Sequence, residues 1–496
     1  MIDYVSTRNP SIKVRSSRAI LDGQAEGGGL YVPSDLDKIK VDYHKIIAGG
    51  DFRSMAKAIW NVFFDDYGEE LIDELVERSY RNKFSSEDIT PVVSTHSSSA
   101  EAYVLELYHG PTSAFKDVAL SALPNLMSEA RSMNDFTDDI LILTATSGDT
   151  GSAAIQGFRD VPGTAIIVFY PHGGVSDTQR LQMVTPDSSN VTACAIRGNF
   201  DDAQTGVKRL FREIPKPVAG VSLSSANSIN IGRLVPQIVY YFSAYAQLLK
   251  AGAIADGDRI DFVVPTGNFG DIMAGWYALR MGLPVRRLVC ASNKNDVLTE
   301  FLSTGRYDRK RDFYKTTSPS MDILVSSNLE RLLYYVCGPD HTVEYMKQLE
   351  QNGEYTITAE ELAEIQSVFT GIFASDEEGA AAIRNVFEAD SYLMDTHTSI
   401  AWACMERYKE NADGPDAPAV VLSTASPYKF SAAVLEALGE ELTGSDEGNM
   451  NKCHDITGAE IPSGLAGIFK KPIIHKDVIE ISDMKAYVIE KSNVRD

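Results

Sequence analysis

Four short stretches bring together residue types that do chemistry only when something holds them in place. The first, His109-Gly-Pro-Thr-Ser-Ala-Phe-Lys116-Asp117, sets a lysine just past a Gly-Pro turn, between Phe115 and the run Val118-Ala-Leu. The ordinary reading of such a lysine is a solvated surface charge. Apolar neighbours would instead desolvate the amine, lower its pKa and make it a nucleophile that condenses with carbonyls. The second, Thr144-Ala-Thr-Ser147-Gly148-Asp149-Thr150-Gly-Ser152, opens a helix with hydroxyls and glycines, and helix-start N–H groups attract anions. It has no Gly-Lys-Ser/Thr ending, so it is not a P-loop, and taken alone it also reads as a helix start capped by Ser147 or Asp149. The third, Pro265-Thr-Gly267-Asn268-Phe269-Gly270-Asp271, lets backbone wrap closely around a phosphate at a helix start, although Gly-x-x-Gly alone more often marks a tight turn. Asp271 sits awkwardly beside a phosphate and is read as favouring the helix N-terminus while pointing away from the ligand. The fourth, Ser423-Thr424-Ala-Ser-Pro427-Tyr-Lys429-Phe430, puts hydroxyls and a lysine just past a strand end. Together they supply a carbonyl-binding lysine, a phosphate cradle, an anion loop and a further hydroxyl, which is what a pyridoxal phosphate site requires.

All four stretches fall at strand-to-helix junctions. Short apolar runs alternate with amphipathic ones from about residue 103 to 291, the pattern of βα units on a parallel sheet. Strands are expected at 103–107, 139–145, 164–169, 191–196, 219–223, 260–264, 285–290 and 419–423. Helices are expected at 114–133 (kinked or split at Pro124), 149–159, 175–184, 201–213, 229–251 and 269–281. Loops at the carboxyl ends of such strands gather along one edge, where ligands bind. Residues 307–390 read as mainly helical, with Thr358 and Glu361 as a capping box ahead of a helix over 362–373. The expected fold class is α/β, with two open, mainly parallel α/β domains and an N-terminal subdomain. The boundaries expected are 1–95 for that subdomain, 96–140 with 225–460 for a large cofactor-binding domain, 141–224 for a smaller one, and 461–496 for an irregular C-terminal cap.

The chain has 496 residues with 46 Lys+Arg against 69 Asp+Glu, a net charge of −23 that repels nucleic acid and anionic membranes. A small anion answers to the local field of a cleft and is not excluded. Five scattered cysteines without a C-x-x-C pair, and a start with no apolar targeting run, predict a reduced, cytoplasmic protein with no membrane span. The eight histidines include no i, i+4 pair, and no metal site is expected; His109 is read either as a proton handler or as a turn stabiliser. Cys453-His454 is assigned nothing.

Six motifs resemble threonine synthases in type and order: Gly27-Gly-Gly-Leu-Tyr-Val-Pro33, His109 to Asp117, Thr144 to Gly151, Asn227-Ser-Ile-Asn230-x-x-Arg233, Gly267 to Asp271, and Thr424-Ala-x-Pro-x-Lys-Phe430. The chain departs from the family at Gly27, where Asp is frequent, and at Ser426-Pro-Tyr, where His-Pro-Ala is frequent. The resemblance implies a fold-type-II pyridoxal-phosphate lyase that converts O-phospho-L-homoserine and water to L-threonine and phosphate. By the same resemblance Lys116 binds the cofactor aldehyde and moves protons during catalysis. Gly267, Asn268, Phe269, Gly270 and Asp271 hold the cofactor phosphate, and Thr424 meets the pyridine nitrogen, where a neutral hydroxyl weakens the electron sink. Ser147, Gly148, Asp149 and Thr150 bind the substrate carboxylate, while Asn230, Arg233 and Lys429 meet its phosphate. The alternatives are a dehydratase or phospho-lyase of the same fold, or a non-catalytic binding relative. A small-molecule substrate is the expected partner, and the chain is expected as a monomer or homodimer.

Overall fold

The computed structural model describes residues 1–95, 102–411 and 417–493. Two open sheets organise it. The larger runs, in spatial order, Phe369–Phe373, Val285–Ser292, Ile260–Pro265, Ala419–Ser423, Ala102–Glu106 and Val92–Thr95, parallel throughout except for its last pair. The smaller runs Val478–Glu480, Val191–Arg197, Thr164–Pro171, Asp139–Ala145 and Val221–Ser224, all parallel. Central strands such as Ile260–Pro265 and Thr164–Pro171 are buried at every position, because helices cover both faces and the residues are apolar without alternation.

The long helix Ile231–Ala251 is buried along most of its length and ends at Gly252 in the left-handed region. The stretch expected as one helix over 114–133 is two, Lys116–Leu120 and Leu123–Met133, with Pro124 in the first turn of the second, where its missing N–H is harmless. An antiparallel three-stranded sheet, Asn9–Val14, Tyr4–Ser6 and Tyr31–Pro33, begins the chain; helices Phe52–Phe63 and Glu69–Tyr80 follow and bury Ile59, Trp60, Phe63, Leu75 and Tyr80.

Two expectations are corrected. The capping box of Thr358 and Glu361 does start a helix, but that helix is Ala359–Gln366, and Phe369–Phe373 is a strand beside Val285–Ser292. Phe369-Thr-Gly-Ile-Phe is rich in aromatic and β-branched residues, and a Cβ at Gly371 would lie 2.9 Å from Thr299 Cα, so the strand packs where only glycine fits. The segment expected as an irregular cap carries the strand Val478–Glu480 and the helix Met484–Asn493, whose Met484, Tyr487 and Val488 are buried with Leu141, Leu143 and Phe169. A three-residue edge strand is too short to show periodicity, so it could not be read in advance.

Candidate active site

The carboxyl ends of the two sheets meet. From the larger come the loops after Ala102–Glu106, Ile260–Pro265 and Ala419–Ser423; from the smaller come those after Asp139–Ala145 and Val221–Ser224. The lysine loop is closed by Asp117, which accepts from the Thr112 N–H at 2.8 Å and its hydroxyl at 2.6 Å. It is also sewn to the Thr424 loop, since Phe115 N–H donates to Thr424 O (2.8 Å) and Ser426 N–H to Ser113 O (3.0 Å). Lys116 is therefore held from both sides, and it is buried.

Its Nζ lies 3.6 Å from Asp149 Oδ2 and 3.4 Å from Ser320 Oγ, and 4.7 Å from the centre of the Phe115 ring. Burial lowers its pKa; Asp149 opposes that, and the nearby Arg233 and Lys429 charges reinforce it. An amine so placed is more readily neutral than an exposed one, as a carbonyl nucleophile must be.

Asp149 is the hinge of the cluster. Lys429 Nζ sits 2.9 Å from its Oδ1 and Gln179 Nε2 donates to the same oxygen at 3.0 Å. Burial alone would raise this carboxyl, but the two ammoniums and the Gln179 amide outweigh it and hold it far below the usual carboxylate range. The Asp149 side chain is thus occupied by cations, which leaves the backbone N–H groups of the loop and the Ser147 and Thr150 hydroxyls for a substrate anion. Gly148, at φ 142, caps the helix Asp149–Phe158, and its Cβ would lie 2.4 Å from Gln179, so no other residue fits. Thr146 Oγ1 accepts from Gly148 N–H and Gly151 N–H at 2.9 Å each, while the N–H groups of Asp149 and Thr150 have no acceptor among the described residues. Ser147 is exposed and Thr150 half-buried.

Around Gly267–Gly270 the backbone turns sharply: Phe269 has φ 60 and the helix Gly270–Met281 starts directly after it. Asn268 O accepts from Asn328 N–H (3.0 Å) and from its side chain (2.9 Å), and a Cβ on Gly267 would lie 2.5 Å from Ser320 O. Asp271 Oδ1 accepts from Tyr240 OH (2.5 Å) and Tyr241 OH (3.0 Å), while its buried Oδ2 has no partner among the described residues. Burial pushes its carboxyl up to about 6, against the two tyrosine hydrogen bonds. Thr424 Oγ1 makes no hydrogen bond to protein among the described residues.

Two of the residues expected at the substrate phosphate have side chains engaged by the protein. Asn230 caps the helix Ile231–Ala251, accepting from Gly232 N–H at 2.9 Å, and donates to Ile20 O (2.9 Å) and Ser225 O (3.3 Å). Lys429 Nζ is spent on Asp149 and on Thr112 O at 2.8 Å. Arg233 differs: buried, it gives one N–H to Ala226 O (3.0 Å) and bonds no carboxylate among the described residues, and burial brings its pKa down to about 10. His109 Nε2 lies 2.8 Å from Glu106 Oε2 and its Nδ1 meets Ser85 Oγ, contacts that tie the ring to its own turn.

Several residues beside the site escaped the sequence. Thr146 lay inside a quoted motif, but Gln179, on the helix Asp177–Val184, was not among the candidates. Ser320 N–H donates to His397 Nε2 (3.1 Å), and His397 Nδ1 bonds Asp395 at 2.8 Å, a chain that sequence cannot join because Ser320 lies 77 residues from His397. Among the described residues there is no group of three or more potential metal ligands, and no helix is long and apolar enough to cross a membrane.

Paired open sheets with a buried lysine, a glycine-rich loop and an unspent hydroxyl at their shared edge are the architecture of the fold-type-II pyridoxal-phosphate enzymes. Family profiles described as "Threonine synthase N terminus", "Pyridoxal-phosphate dependent enzyme" and "Threonine synthase, C-terminal" match residues 3–80, 85–425 and 398–488. The chain belongs to the threonine synthase family. It is 36% identical to the threonine synthase of Schizosaccharomyces pombe, across 88% of this chain and 89% of that protein, and 37% identical to that of Pseudomonas aeruginosa, across 88% and 90%. It superposes on a pyridoxal-phosphate-bound threonine synthase from Brucella melitensis with a TM-score of 0.87 at 36% identity, covering 99% of this chain and 100% of the other. Threonine synthase-like 1 of Macaca fascicularis is 37% identical over 85% of this chain, and the match spans 58% of that longer protein.

Proposed function

We propose that the chain binds pyridoxal 5′-phosphate and converts O-phospho-L-homoserine and water to L-threonine and phosphate. The observation that carries this reading is the cluster in which one buried carboxylate, Asp149, holds Lys429 tightly and Lys116 loosely, beside an Arg233 that bonds no acid among the described residues. The cofactor fits the residues present. A Cβ at Gly270 would meet no protein atom nearer than 3.4 Å, and the Thr424 hydroxyl is unspent.

When bound, the cofactor supplies an electron sink for carbanions formed at the substrate. Lys116 would hold it, and its Nζ would carry protons at the substrate Cα and Cβ. The backbone of Gly267 to Gly270 binds the cofactor phosphate, with Asp271 anchoring the helix behind it, and Thr424 Oγ1 meets the pyridine nitrogen. The N–H groups of Ser147 to Thr150 bind the substrate carboxylate, and Gly148 orients them. Arg233 receives the phosphate that leaves Cγ, a task suited to a planar guanidinium. We place the protein in the cytoplasm, a reading supported by five cysteines that are all free thiols.

Incubation of the holoenzyme with O-phospho-L-homoserine tests the reading. Threonine and phosphate in equal amounts are expected; 2-oxobutyrate in place of threonine would overturn it in favour of a simple lyase.

A further inference from the structure

Arg331 lies in the first turn of the helix Leu329–Asn352 and is 0% exposed. Its guanidinium reaches two of the quoted motifs directly and a third through Asn328. Nε donates to Tyr31 O (3.2 Å) in the N-terminal Gly27–Pro33 stretch, Nη2 to Ile229 O (2.5 Å) in the loop that leads to Arg233, and Nη1 to Asn328 Oδ1. Asn328 in turn donates twice to Asn268 O, from its backbone and from its side chain. One side chain therefore ties the N-terminal strand to both loops assigned to phosphate groups.

The partners of this arginine are unusual for a buried charge. Among the described residues they are carbonyl and amide oxygens only. The adjacent Glu330 is turned away, accepting from Thr7 Oγ1 (2.6 Å) and from Arg8 Nε and Nη2 (2.9 and 2.7 Å). Burial accordingly lowers the Arg331 pKa. A buried cation with no bound carboxylate is costly, and an apolar side chain would fill the space more cheaply if packing were its only task. The loop it supports does need holding, because Phe269 sits at φ 60, which non-glycine residues adopt only when their surroundings impose it.

We propose that Arg331 is a positioning residue for phosphate recognition, fixing the Asn268 loop through Asn328 and the Ile229 loop directly, and that the Tyr31–Pro33 strand acts on the site through it. The inference rests on the reading that the Asn268 loop holds the cofactor phosphate. It predicts a defect specific to the phosphate.

The test compares the affinity of the full-length protein for pyridoxal 5′-phosphate and for pyridoxal, which lacks the phosphate, by absorbance titration after cofactor removal. In Arg331→Met and Arg331→Lys the preference for the phosphorylated form should fall by about ten-fold or more, with pyridoxal affinity little changed. Asn328→Ala, which leaves the Arg331 bonds to Tyr31 and Ile229 in place, should show the same selective loss and carries the test if the arginine variants do not fold. Tyr335→Phe removes another tie between this helix and the N-terminal strand, the 2.9 Å bond from Tyr335 OH to Pro33 O, and should leave the preference intact. An unchanged preference in folded Arg331 variants, or in Asn328→Ala, overturns the inference, as does an equal loss in Tyr335→Phe. A wild-type protein with no preference between the two compounds would instead overturn the phosphate-loop reading beneath it.

Discussion

The cleft holds two buried lysines on either side of one carboxylate, and they are not equivalent. Lys429, from the loop after Ala419–Ser423, has a side chain 0% exposed and an ammonium bonded to Asp149 at 2.9 Å and to Thr112 O at 2.8 Å. Lys116, from the loop after Ala102–Glu106, has a side chain 9% exposed and lies 3.6 Å from the same carboxylate, with Ser320 Oγ at 3.4 Å. The first is a satisfied ion pair and the second an amine kept near a charge but not saturated by it. Proximity to an acid therefore does not distinguish the two lysines; an unfilled hydrogen-bond shell does. The same contrast separates Asn230, whose amide is consumed by Gly232, Ile20 and Ser225, from Arg233, which is bound by a single carbonyl.

Substitutions sharpen or break this comparison. The largest effect is expected at Lys116→Ala, which should reduce turnover by on the order of 10³-fold or more while leaving urea stability nearly unchanged. Lys429→Met should do the reverse in the stability measurement, losing about 3–5 kcal/mol because Asp149 is left without its closest cation. If both variants unfold alike, the distinction drawn between the two lysines fails.

Asp271 comes next. Its folded-state pKa of about 6 lies above the unfolded value, so the folded protein holds this proton more tightly. The stability it contributes is present below about pH 4 and is lost as pH rises to 6, a loss of about 3 kcal/mol. Stability of the cofactor-free wild type relative to Asp271→Asn should fall across that interval in denaturant titrations; a flat difference would show that the carboxyl is not desolvated. Arg233→Met should raise KM for the phosphorylated substrate about 10–100-fold with a small change in stability. The smallest effect belongs to Asn230→Ala, a helix-cap loss of about 1 kcal/mol visible in thermal melts. A larger effect on KM than on stability there would return Asn230 to the substrate phosphate.

The parts legible in sequence were those whose cause is local. Strands 139–145 and 419–423 are continuous buried apolar runs ended by turn residues, and they lie where the pattern puts them. Pro124 showed where a helix must break. Phe369–Phe373 was misread because a capping box dictates where a helix starts and says nothing about where it stops. The site divides in the same way. The loops carrying Lys116, Asp149 and Lys429 were recognisable from composition, but the carboxylate that binds both lysines could not be inferred from any of the three alone. Gln179, Ser320, His397 and Arg331 act through contacts made only when the chain is folded, between residues tens to hundreds of positions apart.

The central claim, that Lys116 and not Lys429 is the amine that condenses with the cofactor, is tested most directly by reducing the holoenzyme with borohydride and mapping the modified peptide by mass spectrometry. One cofactor adduct per chain is expected, on the peptide containing Lys116, and none in Lys116→Ala. An adduct on Lys429, or one that persists in Lys116→Ala, would contradict it.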